Sequence, residues 1–290
     1  LQQNHIIDRI KSGCVKRVLT TLEKIAKDKP EDYAHFWSQF GQLLKEGPGE
    51  DSKNKERIAK LLRFSSTKDN KEQQDVTLDD YLERMSDKQD KIYYLIADSY
   101  TAAKNSPLLE LFKKKGVEVL LLSERVDEWL MGHLSEFSGK KFQTISQGEV
   151  DLGKMDDEET KEKKKEDEKT FKDLVDSFKK SLGDKVDDVR ITHRLTDSPA
   201  CVVFSENAMS GHLQRLMQAA GQAAPQAKPI LELNPDHAML AHLKSNTDEK
   251  VITRWAELLL GQALLAEGEP MEDPAAFVRN MNTMLQETLS

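Results

Sequence analysis

The sequence predicts a mixed α+β and α/β chain: a helical segment with a small α/β/α unit, a charged connector, then an α+β unit closing in a helical hairpin that dimerises. Three observations predict it. Apolar and aromatic residues recur at helical spacing through residues 1–64. Two compact apolar runs, "KIYYLIAD" and "VEVLLLSE", flank a helix-like stretch, the pattern of a βαβ unit with a parallel strand pair and a right-handed crossover. Residues 148–170 mix both signs of charge with almost nothing apolar, which separates a unit at 1–147 from one at 171–290.

Each element has local grounds. "CVKRVLTTLEKIAKD" puts Val15, Val18, Leu19, Leu22 and Ile25 on one helical face. "PEDYAHFWSQFGQLLKEG" carries Tyr33, Phe36, Trp37, Phe40, Leu43 and Leu44, from Pro30 to an expected stop at Gly47-Pro48. "KERIAKLLRF" is a third helix, 65–75 a loop, and "TLDDYLERM" a helix with Thr77 as its N-cap. Strands at 91–98 and 117–124 bracket "SPLLELFKKKG", a helix that ends on lysines and Gly116. "VDEWLMGHLSEF" reads as helix and "KKFQTIS" as an edge strand. Past the connector come helix "FKDLVDSFKKSLG", strands "VDDVRITHRL" and "ACVVFS", helix "MSGHLQRLMQAAG", strand "PILELN" and helix "PDHAMLAHLKS".

Two of these segments raise functional questions. In "MSGHLQRLMQAAG", Met209, Leu213, Leu216, Met217 and Ala220 form one stripe, with Ser210, Gly211, Gln214, Arg215 and Gln218 opposite. That stripe packs either into the protein's own core or onto something the protein holds. The closing hairpin is apolar on more than one side: Ile252, Trp255, Leu258, Leu259, Leu260, Ala263, Leu264 and Leu265, then Phe277, Met281, Met284 and Leu285 after an Asp273-Pro274 start. The surplus predicts burial against a second copy in a symmetric four-helix bundle.

Composition narrows the classes. The 290 residues carry 43 basic and 51 acidic side chains, a net charge of −8, which argues against nucleic acid or an anionic membrane as the main partner. The longest apolar runs are too short to span a bilayer, and no secretory signal opens the chain. Leu1 in place of Met reads as a fragment or a processed product. Cys14 and Cys201 belong to no CxxC, the pattern of ordinary thiols in a reducing cytosol. The seven histidines form no HExxH and no metal-ligand spacing, and no P-loop, GxSxG or GxGxxG is present. From the residues alone, three readings stand: a chain that binds other proteins, a dimeric scaffold with no such binding, and an enzyme with a cleft at the carboxyl end of the βαβ strands.

The stretches "LLKEGPGED", "RIAKLLRF", "KIYYLIADSYTAAKNSPLLELFKKKGVEVLLLSERVDEWL", "VRITHRLTDSPA", "LELNPDH" and "MEDPAAFVRNMNTML" resemble the 90-kDa heat-shock protein chaperones, nearest their bacterial HtpG branch. A mitochondrial relative is the alternative branch. The resemblance covers the end of the family's middle domain and its C-terminal dimerisation domain, with the nucleotide domain outside the chain. It implies a cytoplasmic chaperone that binds incompletely folded clients, forms homodimers, and works with a DnaK-type chaperone. ATP and magnesium would serve the full-length protein, while this chain holds no cofactor and no catalytic residue. Gln2 matches a polar residue of the family's phosphate-sensing loop. Glu128 and Trp129 fall on the middle-domain client surface, and Met209, Leu213, Leu216 and Met217 on an exposed amphipathic element that also meets clients. Ile252, Trp255, Leu259, Leu260, Ala263, Leu264, Phe277, Met281, Met284 and Leu285 would form the dimer interface. The chain ends "LQETLS", unlike the Met-Glu-Glu-Val-Asp tail that recruits tetratricopeptide cochaperones.

Overall fold

A computed structural model describes residues 5–69, 71–150, 158–223, 227–246 and 248–289. Gln2 lies outside these residues. The first three elements are helices α1 (His5–Asp28), α2 (Pro30–Glu50) and α3 (Lys55–Leu61). Pro30 starts α2 with Glu31 and Asp32 in its first turn, where the positive end of the helix favours acids. The buried positions of α2 are Tyr33, Trp37, Gly41, Lys45 and Pro48, a four-residue spacing on one face. A side chain at Gly41 would collide with the Trp37 indole, so glycine lets the ring lie flat on the helix.

Two expectations fail here. The helix does not stop at Gly47-Pro48 but runs to Glu50 with Pro48 inside it. Proline this near the end removes only one intrahelical bond, and the Asp51 N–H still reaches the Gly47 carbonyl. Phe40 and Leu43, expected on the buried stripe, are 52% and 64% exposed, and Val18 of α1 is 56% exposed. The inward stripe is narrower than the apolar one.

Lys45 occupies the centre of that stripe, 1% exposed, with its ammonium 2.7 Å from both Asp127 and Glu124. Asp127 is fully buried and also accepts the Glu124 N–H. Burial raises the Asp127 carboxyl pKa, with Lys45 and the Glu124 N–H opposing it. This ion pair pins α2 to the start of α7 (Val126–His133).

The first sheet has strands β1 (Ser65–Ser66), β2 (Lys91–Ile96), β3 (Val119–Leu122), β4 (Glu136–Phe137) and β5 (Lys140–Thr144), in the order β1-β3-β2-β5-β4. β2 and β3 are parallel, with Tyr94 opposite Leu120. Their crossover contains α5 (Tyr100–Asn105), a 3₁₀ turn at Pro107–Leu109, and α6 (Glu110–Lys115), which Gly116 ends at φ +68°. Before it, α4 (Leu78–Arg84) opens on a reciprocal cap in which Thr77 and Asp80 exchange side-chain and backbone bonds. Two details differ from expectation: β1 pairs antiparallel with β3 inside the expected loop, and β5 is not an edge, because the two-residue β4 covers its outer side.

The charged connector contains α8 (Glu158–Thr170), and beyond it lie α9 (Lys172–Leu182), β6 (Asp188–Ile191), β7 (Ala200–Val203), α10 (Gly211–Ala219), β8 (Ile230–Leu233), α11 (Ala238–Lys244), α12 (Glu249–Glu267) and α13 (Pro274–Leu289). The second sheet has the order β6-β8-β7, with β6 parallel and β7 antiparallel to β8.

The strand period of two places the core. Ile92, Leu120 and Leu122 face the helices α1–α4, while Tyr93, Leu95, Val119 and Leu121 face the other way. That second face is covered by Leu195, Cys201, Val203 and Ile230 of the second unit, so one hydrophobic cluster joins the two sheets. Arg194, 5% exposed, spans the join: it donates to the carbonyls of Ile145 and Gly148 and pairs with Glu232 at 2.6 Å. Among the described residues no helix is long and apolar enough to cross a membrane.

Truncating Lys45 strands a buried carboxylate, a change that ordinarily costs about 3–5 kcal/mol. Lys45→Ala is expected to lower urea-unfolding stability by about that much, while Val18→Ser at an exposed site changes it by less than about 0.5 kcal/mol. Equal effects would show that the ion pair does not pin α2 to α7.

Candidate functional site

The stripe runs from Met209, just before α10, along that helix, and it is turned away from the helix's buried side. The buried residues of α10 are Gly211, His212 and Gln214, from the polar side. Met209, Leu213, Leu216 and Met217 are half-buried, and none belongs to any of the three hydrophobic clusters. The stripe is therefore not core.

Polar bonds hold the inner face. Ser210 caps the helix by accepting the Leu213 N–H, and its hydroxyl donates to Glu128 at 2.7 Å. The His212 Nδ1 lies 3.0 Å from the same Glu128 oxygen. Arg215 pairs with Asp98 at 3.0 Å and with Glu269 at 2.7 Å. Burial works against the Arg215 charge, but Glu269 and Asp98 outweigh it and raise its pKa. Gln214 donates to the Met209 carbonyl and accepts the Ala227 N–H. At Gly211 a Cβ would collide with the Glu269 carboxylate, so the position needs glycine for this close approach. Behind α10 is a cavity of about 70 Å³ with apolar walls from Ile96, Val202 and Phe204.

The acids come from distant elements. Asp98 follows β2, Glu128 is on α7, and Glu269 follows Gly268, which ends α12 in the left-handed region at φ +71°. Glu128 thus faces α10 rather than solvent. Its neighbour Trp129 points elsewhere: it is 44% exposed, its ring centroid is 4.1 Å from that of His133, and its N–H reaches the Glu46 carbonyl at 3.4 Å. The two residues assigned together on "DEWL" occupy different surroundings. Reading the sequence missed Asp98, His212 and Glu269 altogether and placed Arg215 on the face opposite the stripe without a partner for it. Gly211 on the polar side was the available signal of a close approach.

The expected dimer residues divide in two. Ile252, Leu259, Leu260 and Ala263 are buried within the single chain, in a cluster with Phe178, Val202 and Leu231, because α12 lies against β7 and α9. Trp255 and Leu264 pack partly against the same cluster. Ile252, Leu259, Leu260 and Ala263 therefore offer little or no surface to a second copy, while Trp255 and Leu264 stay partly exposed. Phe277 rests on Gly261, where a side chain would collide with its ring. Leu265, Val278 and Leu285 are the exposed apolar residues of the hairpin, at 56%, 46% and 55%, with Met281 and Met284 half-buried beside them.

Glu267, at the end of α12, is a strongly perturbed acid. Burial pushes its carboxyl up to about 7, with the Ser106 hydroxyl opposing and the charge of Glu269 adding to the rise. The Ser106–Glu267 hydrogen bond of 2.8 Å links α5 to α12 across the two units.

Comparison with known sequences gives two findings. The model of a family described as "Hsp90 protein" matches residues 1–290. The Chaperone protein HtpG of Coxiella burnetii (strain RSA 493 / Nine Mile phase I) is 58% identical over 285 residues, which covers 98% of this chain and 45% of that protein. Those of Pseudoalteromonas translucida (strain TAC 125) and Bordetella pertussis (strain Tohama I / ATCC BAA-589 / NCTC 13251) are 55% and 53% identical, again over 45% of their length. The chain spans about half the length of the curated relatives it matches.

A carboxyl whose pKa rises on folding binds more protons in the folded state between about 4.5 and 7, so its contribution to stability falls as pH rises through that window. Glu267→Gln keeps the acceptor for Ser106 and removes the titration. The stability of the variant relative to the parent is expected to grow by on the order of 2 kcal/mol between about pH 5 and about pH 8. Denaturant titrations at the two pH values check this; a constant difference would mean that Glu267 titrates as a free carboxylate.

Proposed function

The chain belongs to the Hsp90 protein family, and from that premise we propose that it is the client-binding and dimerising portion of an HtpG-type molecular chaperone. The observation that carries the reading is α10. A helix with its polar side inward and a Met209–Leu213–Leu216–Met217 stripe outside every core cluster presents adaptable apolar surface without a rigid pocket. Each such side chain contributes on the order of 1.5–3 kcal/mol when covered, so a few suffice to hold an incompletely folded chain transiently. Trp129 on α7 supplies a second exposed aromatic surface. Both fit partners defined by exposed apolar segments rather than by a fixed sequence.

ATP and magnesium belong in this reading to portions of the longer protein outside the chain. A DnaK-type chaperone is a further partner, and the cytoplasm is the proposed location. The enzyme reading sets its cleft at the carboxyl end of β3, where a cavity of about 530 Å³ is lined by Trp37, Gln39, Gln42, Gln73, Gln74 and Glu124; its one carboxylate is already paired with Lys45, which disfavours that reading. The scaffold reading would need the α10 stripe to be internal.

Changing Met209, Leu213 and Met217 together to Gln is expected to leave the thermal midpoint within about 2 °C. Suppression of aggregation of a thermally denatured client should fall several-fold in the same protein. A large loss of cooperative melting would return the stripe to the core and remove the basis of the reading.

Dimerisation is placed on the exposed side of the hairpin, since α12 already serves its own core. Leu265→Glu with Val278→Glu is expected to shift the sedimentation of the chain from dimer to monomer with its far-ultraviolet circular dichroism unchanged. A dimer that survives both charges would locate the contact elsewhere.

A further inference from the structure

We infer that Arg215 is a positioning residue: with Asp98, Glu128 and Glu269 it fixes the roll of α10, so that the apolar stripe faces outward. The inference rests on the client-binding reading for its purpose, and on the geometry of the inner face for its content.

An amphipathic helix packed on a protein ordinarily turns its apolar side inward. The cavity beneath α10 is lined by Ile96, Val202 and Phe204 as well as by Thr144, Ser146 and Gln147, so a roll of the helix would set Leu213 or Leu216 against the apolar part of that floor. What opposes the roll is charge. Glu128 and Glu269 are only 13% and 12% exposed, and both draw their partners from α10: Ser210 and His212 for the first, Arg215 for the second. Rolling the helix would leave two largely buried carboxylates unpaired, and an unpaired buried charge costs more than covering one or two leucines returns. Arg215 is central because its two terminal nitrogens reach acids from two units, Asp98 after β2 and Glu269 at the α12–α13 turn. A lysine, a single point donor, does not reproduce that fork. Gly211 admits the Glu269 carboxylate against the first turn and so keeps the clamp short. Glu128 accordingly acts through Ser210 and His212, holding the helix that meets the client, and not as a client contact.

The test measures which way α10 faces. Met217 is on the outer stripe, and its rate of oxidation by dilute hydrogen peroxide in the folded chain, read by mass spectrometry, reports its exposure. Met239, packed partly against the cluster beneath the second sheet, is the internal reference. In Arg215→Gln and in Glu269→Gln, Met217 oxidation is expected to slow several-fold relative to Met239, with suppression of client aggregation falling in parallel and the thermal midpoint retained. Arg215→Lys is expected to fall between these variants and the parent.

Unchanged Met217 oxidation would overturn the inference, because the roll would then be set by something else. Faster oxidation together with new proteolytic cuts in residues 211–223 would also overturn it, showing that the clamp only keeps the helix folded. Slower oxidation with undiminished aggregation suppression would uphold the clamp and remove α10 from the client surface.

Discussion

The arrangement depends on one buried guanidinium. Arg194 is almost fully removed from water, which is tolerable only because its charge and its donors are answered: Glu232 on one side, the carbonyls of Ile145 and Gly148 on the other. Glu232 is itself 2% exposed and gives its second oxygen to Arg190, so neither member of the pair is left with an unmet charge. Beside them, Glu110 of α6 accepts the N–H groups of Thr196, Asp197 and Ser198; burial resists its charge, yet these bonds win and lower its pKa. Directional polar bonds set the register of two sheets whose shared hydrophobic cluster would tolerate sliding.

That fixed register is what permits a clamp on α10. Asp98 and Glu128 come from the first unit and Glu269 from the second, so their convergence exists only while the units hold one angle. Buried and half-buried charges therefore act at two scales here. Arg194 and Lys45 lock buried elements together, whereas the acids around α10 orient an element whose half-buried apolar side lies outside the three core clusters. The first kind yields a rigid body. The second sets the roll of a helix at the junction, where a change in the angle between the units would alter it.

The hairpin shows the opposite use of apolar surface. α12 spends most of its stripe on its own sheet, and among the described residues Leu265, with Val278 and Leu285 of α13, remains outside. A helix that looks apolar all round need not be shared between two copies when a sheet and another helix already cover two of its sides.

Much was legible in the residues. Strand period placed Ile92 and Tyr93 on opposite faces of β2, the Thr77–Asp80 cap marked the start of α4, and Gly116 marked the end of α6, because these signals are local and each costs free energy if ignored. The family was legible too, in stretches whose order and spacing run through nearly the whole chain. What remained hidden was every decision made by two distant residues. The sequence could offer Met209, Leu213, Leu216 and Met217 as a stripe, and the family resemblance an exposed one, but not the contacts that hold it so: Arg215 meeting Glu269, and His212 meeting Glu128, 84 positions apart. Nor could it say that Lys45 is buried or that Leu259 belongs to its own chain's core. Composition and periodicity determine which side chains share a face. Only the tertiary structure decides what that face meets, because a buried charge takes its partner from wherever the fold brings one.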